Sequence, residues 1–63
     1  MSEPLLSVED LAALLGVPIG TVYAWNHKGV GPRRVHLGKH VRFRRSDVDG
    51  WLDAQYADEQ PAA

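Results

Sequence analysis

A chain of 63 residues can form one domain at most, and its core is marginal because so short a chain buries only about 60% of its unfolded surface. It has no cysteine, which excludes disulfides and thiolate zinc sites, and no run of about 20 apolar residues that could cross a membrane. The net charge of −1 hides an asymmetry, since all seven Lys and Arg residues lie between Lys28 and Arg45, while all eight acids lie outside residues 11–46.

This separation of charge indicates a polyanionic partner. The alternative is a solvated basic face without function, which is disfavoured because solvated faces usually mix both signs. The acidic N-terminal segment lacks the basic and apolar regions of a signal peptide, so we expect a cytoplasmic protein.

Residues 1–6 are predicted to be a leader, and Ser7 begins the first helix, over residues 8–15. The Ser7 side chain can accept from amide groups at the helix N-terminus, where Glu9 and Asp10 suit the positive end of the helix dipole. Gly16 is expected to end the helix in the left-handed conformation. The apolar face of this helix is predicted to carry Val8, Leu11, Leu14 and Leu15.

A second helix is predicted from residue 18 or 19 to residue 28, with Pro18 in its first turn, where the missing amide costs nothing. Gly29 ends this helix, and Gly31-Pro32 breaks the chain again. Its buried stripe is predicted to carry Ile19, Val22 and Trp25, which recur at every third position.

Residues 34–44 alternate between apolar and polar, mostly basic, side chains around Gly38, which is typical of a β-hairpin. The tip is placed at residues 38–40. The apolar face is predicted to carry Val35, Leu37, Val41 and Phe43. The outer face is predicted to carry Arg34, His36, Arg42 and Arg44.

Ser46 is predicted to restart a helix, with Asp47 and Asp49 in its first turn. The apolar stripe of this third helix comprises Val48, Trp51, Leu52, Gln55 and Tyr56. Trp51 and Leu52 are expected to cover the inner face of the hairpin. Residues 57–63 are small and polar and are predicted to form a disordered acidic tail.

The predicted order is helix, tight turn, helix, hairpin and helix, so the protein is expected to be mainly α with a small β-hairpin. Residues 7–56 would form a winged helix-turn-helix, which presents its second helix to the major groove of double-stranded DNA. Small side chains on that helix permit close approach, and its N-terminus favours a phosphate. The predicted contacts on it are Gly20, Thr21, Tyr23, Ala24, His27 and Lys28.

Two alternatives stay open on this helix. It has the pattern of a plain amphipathic helix with small exposed residues as well as that of a DNA reader. Tyr23 could enter the core or point its hydroxyl group at a phosphate; the second is favoured because Val22 and Trp25 already fill the buried stripe.

The hairpin, or wing, supplies the stronger signal, since basic residues on a two-stranded ribbon can grip phosphates or enter the minor groove. Its predicted contacts are Arg33, Arg34, Lys39, His40, Arg42 and Arg44. Neutralising about five phosphates would give a log–log slope of affinity against salt near −4 to −5. Charges also protect hairpin edges from aggregation, but acids would serve equally well and the wing has none. Arg45 has a second candidate role, pairing with Asp49.

No Ser/His/Asp set, glycine-rich phosphate loop or isolated carboxylate pair occurs in the sequence. The three histidines, His27, His36 and His40, have no metal-ligand spacing. We therefore predict no enzymatic activity, no cofactor and no metal.

The run LSVEDLAALLGVPIGTVYAWNHKGVGPRRVHLGKHVRFRRSDVDGWL resembles the small helix-turn-helix proteins of the excisionase and MerR-like winged-helix group. The resemblance covers about residues 6–53. Its matching features are residues 11–17, Thr21-Val22-Tyr23, Gly29, Pro32, the Gly38 hairpin, residues 44–48 and Trp51-Leu52.

Members of that group that stand alone at this size are often phage or plasmid excisionases. The resemblance thus implies a recombination directionality factor that binds and bends attachment-site DNA and directs a partner integrase toward excision. It also implies cooperative self-assembly on DNA and association with a bacterial nucleoid. Basic residues frequent in the family are replaced here by Ile19, Ala24 and His27, and serine by Pro18, which shifts weight from the second helix to the wing.

Other functions are kept as alternatives. A small transcriptional regulator would use the same domain, although a freestanding repressor usually needs a dimerisation element and none is predicted after Tyr56. A protein-binding adaptor would use the acidic segment 47–59, for instance toward an integrase. RNA binding is disfavoured because no aromatic stacking platform is evident.

Overall fold

The computed structural model describes residues 4–59. Its elements in chain order are β1 (Leu5–Leu6), α1 (Val8–Leu15), α2 (Ile19–Lys28), β2 (Val35–Leu37), β3 (His40–Arg44) and α3 (Arg45–Glu59). The strands form one antiparallel sheet in the order β1-β3-β2. This is a winged helix-turn-helix, so the predicted fold class is confirmed.

Helix α1 has the predicted bounds because both of its ends are fixed by local hydrogen bonds. The Ser7 hydroxyl oxygen accepts from the Asp10 backbone N–H at 3.0 Å, and the Asp10 carboxylate accepts from the Ser7 backbone N–H at 3.1 Å. Gly16 ends the helix at φ 69°. The predicted apolar face is wrong at Leu14, which is exposed, while Ala12 is buried instead. Positions 8, 11, 12 and 15 form the continuous helical stripe, and position 14 points away from it.

Residues 16–18 join α1 to α2, and the two helices are bent by 115° at this break. That angle is within the range of a helix-turn-helix. Pro18 stands one residue before α2 rather than in its first turn, and its carbonyl accepts from the Thr21 N–H at 2.9 Å. Val22 is fully buried, but Ile19 at the end of the predicted stripe is exposed, because steps of three residues rotate gradually around a helix.

The predicted faces of the wing are wrong, because its turn is one residue shorter than expected. Leu37 pairs with His40, so the turn consists of Gly38 and Lys39 alone, and His40 belongs to β3. Directly paired residues share a face of a sheet, and a one-residue shift moves a whole strand to the other face. Val35 therefore shares a face with Arg42, and Leu37 with His40. The helix-facing side instead holds Val41, Phe43 and His36.

The chain ends also differ from the predicted leader and tail. Leu5 and Leu6 form β1 and pair with Arg44 and Phe43. Strand β1 thus occupies the edge of β3 that β2 leaves open. Helix α3 starts at Arg45, one residue before the predicted Ser46, and continues through Glu59, so the tail cannot begin at residue 57. Residues 1–3 and 60–63 of the predicted leader and tail lie outside the described residues.

A single buried cluster joins the helices to β3. Among the described residues it comprises Val8, Leu11, Ala12, Val22, Phe43 and Val48. Next to it, the rings of Trp25 and Trp51 pack with centroids 5.3 Å apart at 54°, a favourable tilted geometry that ties α3 to α2. Leu52, predicted to cover the hairpin, is exposed instead, because α3 turns this position away from the sheet.

Within residues 4–59, no single helix is long and apolar enough to cross a membrane; α1 and α2 reach that length and composition only together, across their bend.

Gly31 and Gly38 provide a matched pair of substitutions. Gly31 has φ +91°, and an added Cβ would lie 3.1 Å from the Trp25 Cβ, whereas Gly38 has φ +64° with nothing within 4 Å. We expect Gly38→Ala to cost about 1–2 kcal/mol from backbone strain alone. Gly31→Ala should cost about 2–4 kcal/mol, because it adds overpacking against the indole. Urea unfolding measures both, and equal losses would show that Trp25 does not constrain this loop.

The α1 cap makes stability depend on pH. The pKa of Asp10 is lowered, first by the backbone N–H of Ser7, then by the Ser7 side chain, and further by the positive charge of Arg42. A lowered folded-state pKa means that the carboxylate stabilises the fold above its unfolded pKa, and that this contribution is lost as pH falls through the folded value. Asp10→Ala should therefore lower the Tm at pH 7, and the gap from wild type should close below about pH 4.

Asp58→Ala is the control for the Asp10 measurement. Asp58 is exposed in the last turns of α3, where a negative charge does not favour the helix dipole. Its removal should not lower the Tm at pH 7. A deficit in Asp10→Ala that persists unchanged to pH 2.5 would contradict a role for the charged carboxylate.

Candidate nucleic-acid interface

Helix α2 turns one face outward, opposite the fully buried Val22. Five of its six predicted contact residues are exposed: Gly20, Tyr23, Ala24, His27 and Lys28. Thr21 is half-buried at the margin of this face. A Cβ added at Gly20 would meet nothing within 4 Å, so the small size of this residue leaves open space outside the protein. We name these six residues the reading face.

Tyr23 lies at the edge of the reading face that is next to the wing. Its side chain is 55% exposed, which excludes the alternative that it enters the core. It borders a cleft of about 300 Å³ between α2, the start of α1 and the wing. The lining of this inner cleft consists of Ser7, Val8, Glu9, Tyr23, Lys39, His40, Val41 and Arg42. The fold thus brings three predicted wing residues beside the reading face.

Arg42 is the best-positioned cation of the inner cleft. Its Nη1 donates to the carbonyl oxygen of Val41 at 2.9 Å, and the side chain is half-buried. Arg42 lines the same cleft as Ser7, Val8 and Glu9 at the start of α1, and its charge helps to lower the pKa of Asp10. Lys39 in the turn and His40 are both exposed. The arrangement offers an anion several donors along one side of α2.

Arg34 has a different position from the other predicted wing residues. Its Nε donates to Asn26 Oδ1 at 2.7 Å, and its Nη2 donates to the Val30 carbonyl oxygen at 2.6 Å. These bonds join the start of the wing to the last turn of α2. The side chain is half-buried, and two of its donor nitrogens already have partners within the protein.

Arg33 and Arg44 lie on the other side of the wing. Both border a groove of about 460 Å³ on the solvent face of the sheet, with the remaining lining from Leu5, Arg34, Val35, Leu37 and Asp47. We name this the outer groove. Arg45, the last cation of the basic block, pairs with Asp49 at 3.1 Å, as expected from their spacing. The seven cations, which lie within one 18-residue block of the sequence, therefore divide among several surfaces.

Asn26 is not among the residues that the sequence pattern singles out, although a signal is present. Asn26 lies four residues after Val22, so it projects from the packed side of α2, and it is half-buried. A polar side chain at such a position requires a hydrogen-bond partner. Which residue would supply that partner depends on the path of residues 29–34, which no periodicity specifies.

No metal centre accompanies these surfaces in the part of the chain that the structure describes. Within residues 4–59, no three His, Asp or Glu side chains are placed so that they could hold a metal ion. The described surfaces present cations, hydroxyl groups and exposed helix residues.

A family model described as "Helix-turn-helix domain" matches residues 5–56, which is most of the chain. The match runs from β1 well into α3 and so includes the reading face and the inner cleft. This is a DNA-binding family and not a catalytic one. No curated protein and no solved structure matches the chain.

The bond between Arg34 and Asn26 can be tested by a double-mutant cycle. We expect Arg34→Ala and Asn26→Ala to be coupled by about 1 kcal/mol or more in unfolding free energy, because the bond is charge-assisted and half-buried. The neighbouring Arg33 provides the control, since Arg33→Ala with Asn26→Ala should be additive within about 0.5 kcal/mol. Equal coupling in both cycles would show a general charge effect instead of a specific bond.

Proposed function

Because the chain belongs to a helix-turn-helix domain family that binds DNA, we propose that its reading face and inner cleft together form one surface for double-stranded DNA. The observation that carries this proposal is the position of Tyr23 on α2 beside Lys39 and Arg42 of the wing, around one cleft. A duplex that receives α2 in its major groove would then have a neighbouring phosphate strand beside the wing.

The reading face supports this arrangement by its shape. Gly20 and Ala24 let the α2 backbone approach base edges closely, and the Ala24 methyl group can contact a thymine methyl. Thr21 and the N-terminus of α2 offer donors to a phosphate, which fixes the position of the helix. The exposed hydroxyl group of Tyr23 can do the same at the opposite edge.

The cations divide into contact and positioning groups. We assign the phosphate contacts to Lys28, Lys39 and Arg42, with His40 beside them. Arg34 is assigned a positioning role, because its bonds to Asn26 and Val30 set the angle between the wing and α2. Arg33 and Arg44 border the outer groove, away from the proposed DNA surface.

This assignment changes the expected salt dependence of binding. Three neutralised phosphates give a log–log slope near −3, compared with −4 to −5 for the five expected from the sequence. Fluorescence anisotropy with a random-sequence duplex, titrated at several salt concentrations, measures this slope. Lys39→Ala or Arg42→Ala should each reduce its magnitude by about 1.

Arg34→Ala and Arg44→Ala are the controls that separate the roles. Arg34→Ala should weaken binding with little change of slope, because it loosens the wing without removing a phosphate contact. Arg44→Ala should leave both affinity and slope unchanged. The assignment would be refuted by a wild-type slope of −4 or steeper together with a decrease of about 1 in the magnitude of the slope in Arg44→Ala. Such a result would extend the DNA surface around the sheet.

For the biological role, we propose a sequence-specific architectural factor of the excisionase type, which bends attachment-site DNA and directs an integrase toward excision. The support is the resemblance of residues 6–53 to that group, together with membership of a DNA-binding helix-turn-helix family. A wing that grips phosphates beside a helix in the major groove is suited to holding a duplex in a bent form.

The test begins with the preferred DNA site, obtained by selection from a random library. Bending is then measured by energy transfer between dyes at the ends of a duplex that carries the site. Excision is measured with the integrase encoded beside that site, with and without this protein. Stimulated excision is the expected result; repression of a neighbouring promoter without any effect on excision would favour the transcriptional regulator instead.

A further inference from the structure

The outer groove is an apolar surface with a basic border. Its three apolar side chains are exposed: Leu5 at 44%, Val35 at 42% and Leu37 at 48%. They share the face of the sheet that the short turn has directed away from the helices. Arg33 and Arg44 border them, and Asp47 is the one acid among the lining residues. A fitting partner would present apolar side chains next to carboxylates.

The second half of α3 has the complementary character. Leu52 is 38% exposed and Tyr56 is 68% exposed, and because they are four residues apart they lie on one face of the helix. Asp49 and Asp53 form the adjacent row at the same spacing. The sequence contains no Lys or Arg after Arg45, so every charged residue in this half of α3 is acidic.

We propose that these two surfaces bind each other between copies of the chain, with α3 of one copy in the outer groove of the next. Leu52 and Tyr56 would pack on Leu5, Val35 and Leu37, while Asp53 would approach Arg33 or Arg44. Each copy uses two different surfaces, so the contact is head-to-tail and leaves a free surface at either end. We choose a second copy of the chain as the partner because the outer groove and the second half of α3 match in charge and in apolar pattern, and both occur on this chain.

The size of the contact limits its strength. Two turns of helix on a three-stranded sheet bury far less than the roughly 1,200 Å² below which interfaces are weak and transient. The protein should therefore be mainly monomeric when dilute and should associate only at high concentration. Both surfaces lie outside the proposed DNA surface, and the contact requires no DNA, so its failure would leave the proposed function untouched.

Engineered cysteines provide a direct test, because the natural chain contains no cysteine to compete. Leu37→Cys and Tyr56→Cys variants are purified separately, mixed and oxidised gently with a glutathione redox buffer. The head-to-tail contact predicts a disulfide-linked heterodimer in the mixture, well above the homodimers of either variant alone. Ala13→Cys, exposed on α1, is the matched control partner for Leu37→Cys and should give only the collisional background.

Charge reversal then tests the polar part of the contact. Arg44→Glu in the Leu37→Cys variant should reduce the crosslinked fraction at least about tenfold, since it places like charges together. Adding Asp53→Arg to the Tyr56→Cys variant should restore crosslinking by recreating an opposite-charge pair. Circular dichroism of each variant shows that the fold is retained.

Three results would overturn the proposal. Homodimers of one cysteine variant as abundant as the mixed dimer would indicate a symmetric contact instead. Crosslinking to Ala13→Cys as strong as to Tyr56→Cys would show a nonspecific encounter. If the protein remains monomeric in sedimentation equilibrium up to millimolar concentration, the contact between copies does not form. The outer groove would then be open to a different acidic partner.

Discussion

The burial of Phe43 is the contact on which the rest of the structure depends. Its side chain is fully buried in a cluster to which all three helices contribute, and its strand is the only one paired with both of the others among the described residues. That cluster has six buried residues, which is few for three helices and a sheet. The positions of α3 and of the wing relative to α2 therefore depend on contacts beside the core, namely the Trp25–Trp51 packing and the hydrogen bonds of Arg34.

Elements that depend on neighbouring residues could be predicted from the sequence. Both ends of α1 and the C-terminal end of α2 follow from local caps, and the outward residues of α2 follow from helical periodicity. The wing faces could not be predicted, because a turn shorter by one residue moves the side chains of a whole strand to the opposite face of the sheet. Strand β1 depends on pairing with Arg44 and Phe43, about forty residues along the chain, which no short motif encodes. The same holds for Arg34, whose partner Asn26 is set by the loop.

The basic block shows why charge in sequence overstates charge at a site. Its seven cations lie within 18 residues with no acid between them, yet Arg34 holds the wing to α2, Arg45 pairs with Asp49, and Arg33 and Arg44 border a different groove. Of the seven, only Lys28 on α2 and Lys39 and Arg42 in the inner cleft lie on or beside the reading face. An alternating strand points successive side chains to opposite sides, so a basic hairpin distributes its charge. Arg42 differs from this pattern, since it pairs with Val35 in the sheet and nevertheless lines the inner cleft.

Gly20 determines how easily the exposed face of α2 can be altered by substitution. Its φ is not positive and no atom of the protein would meet an added Cβ, so the fold does not require glycine there. Within a helix, glycine is less stable than alanine by up to about 1 kcal/mol. Stability has thus been given up at the N-terminal end of the exposed face of α2. Under the proposed function, alanine or a longer unbranched side chain at this position would change the surface that α2 offers to DNA while making the helix more stable.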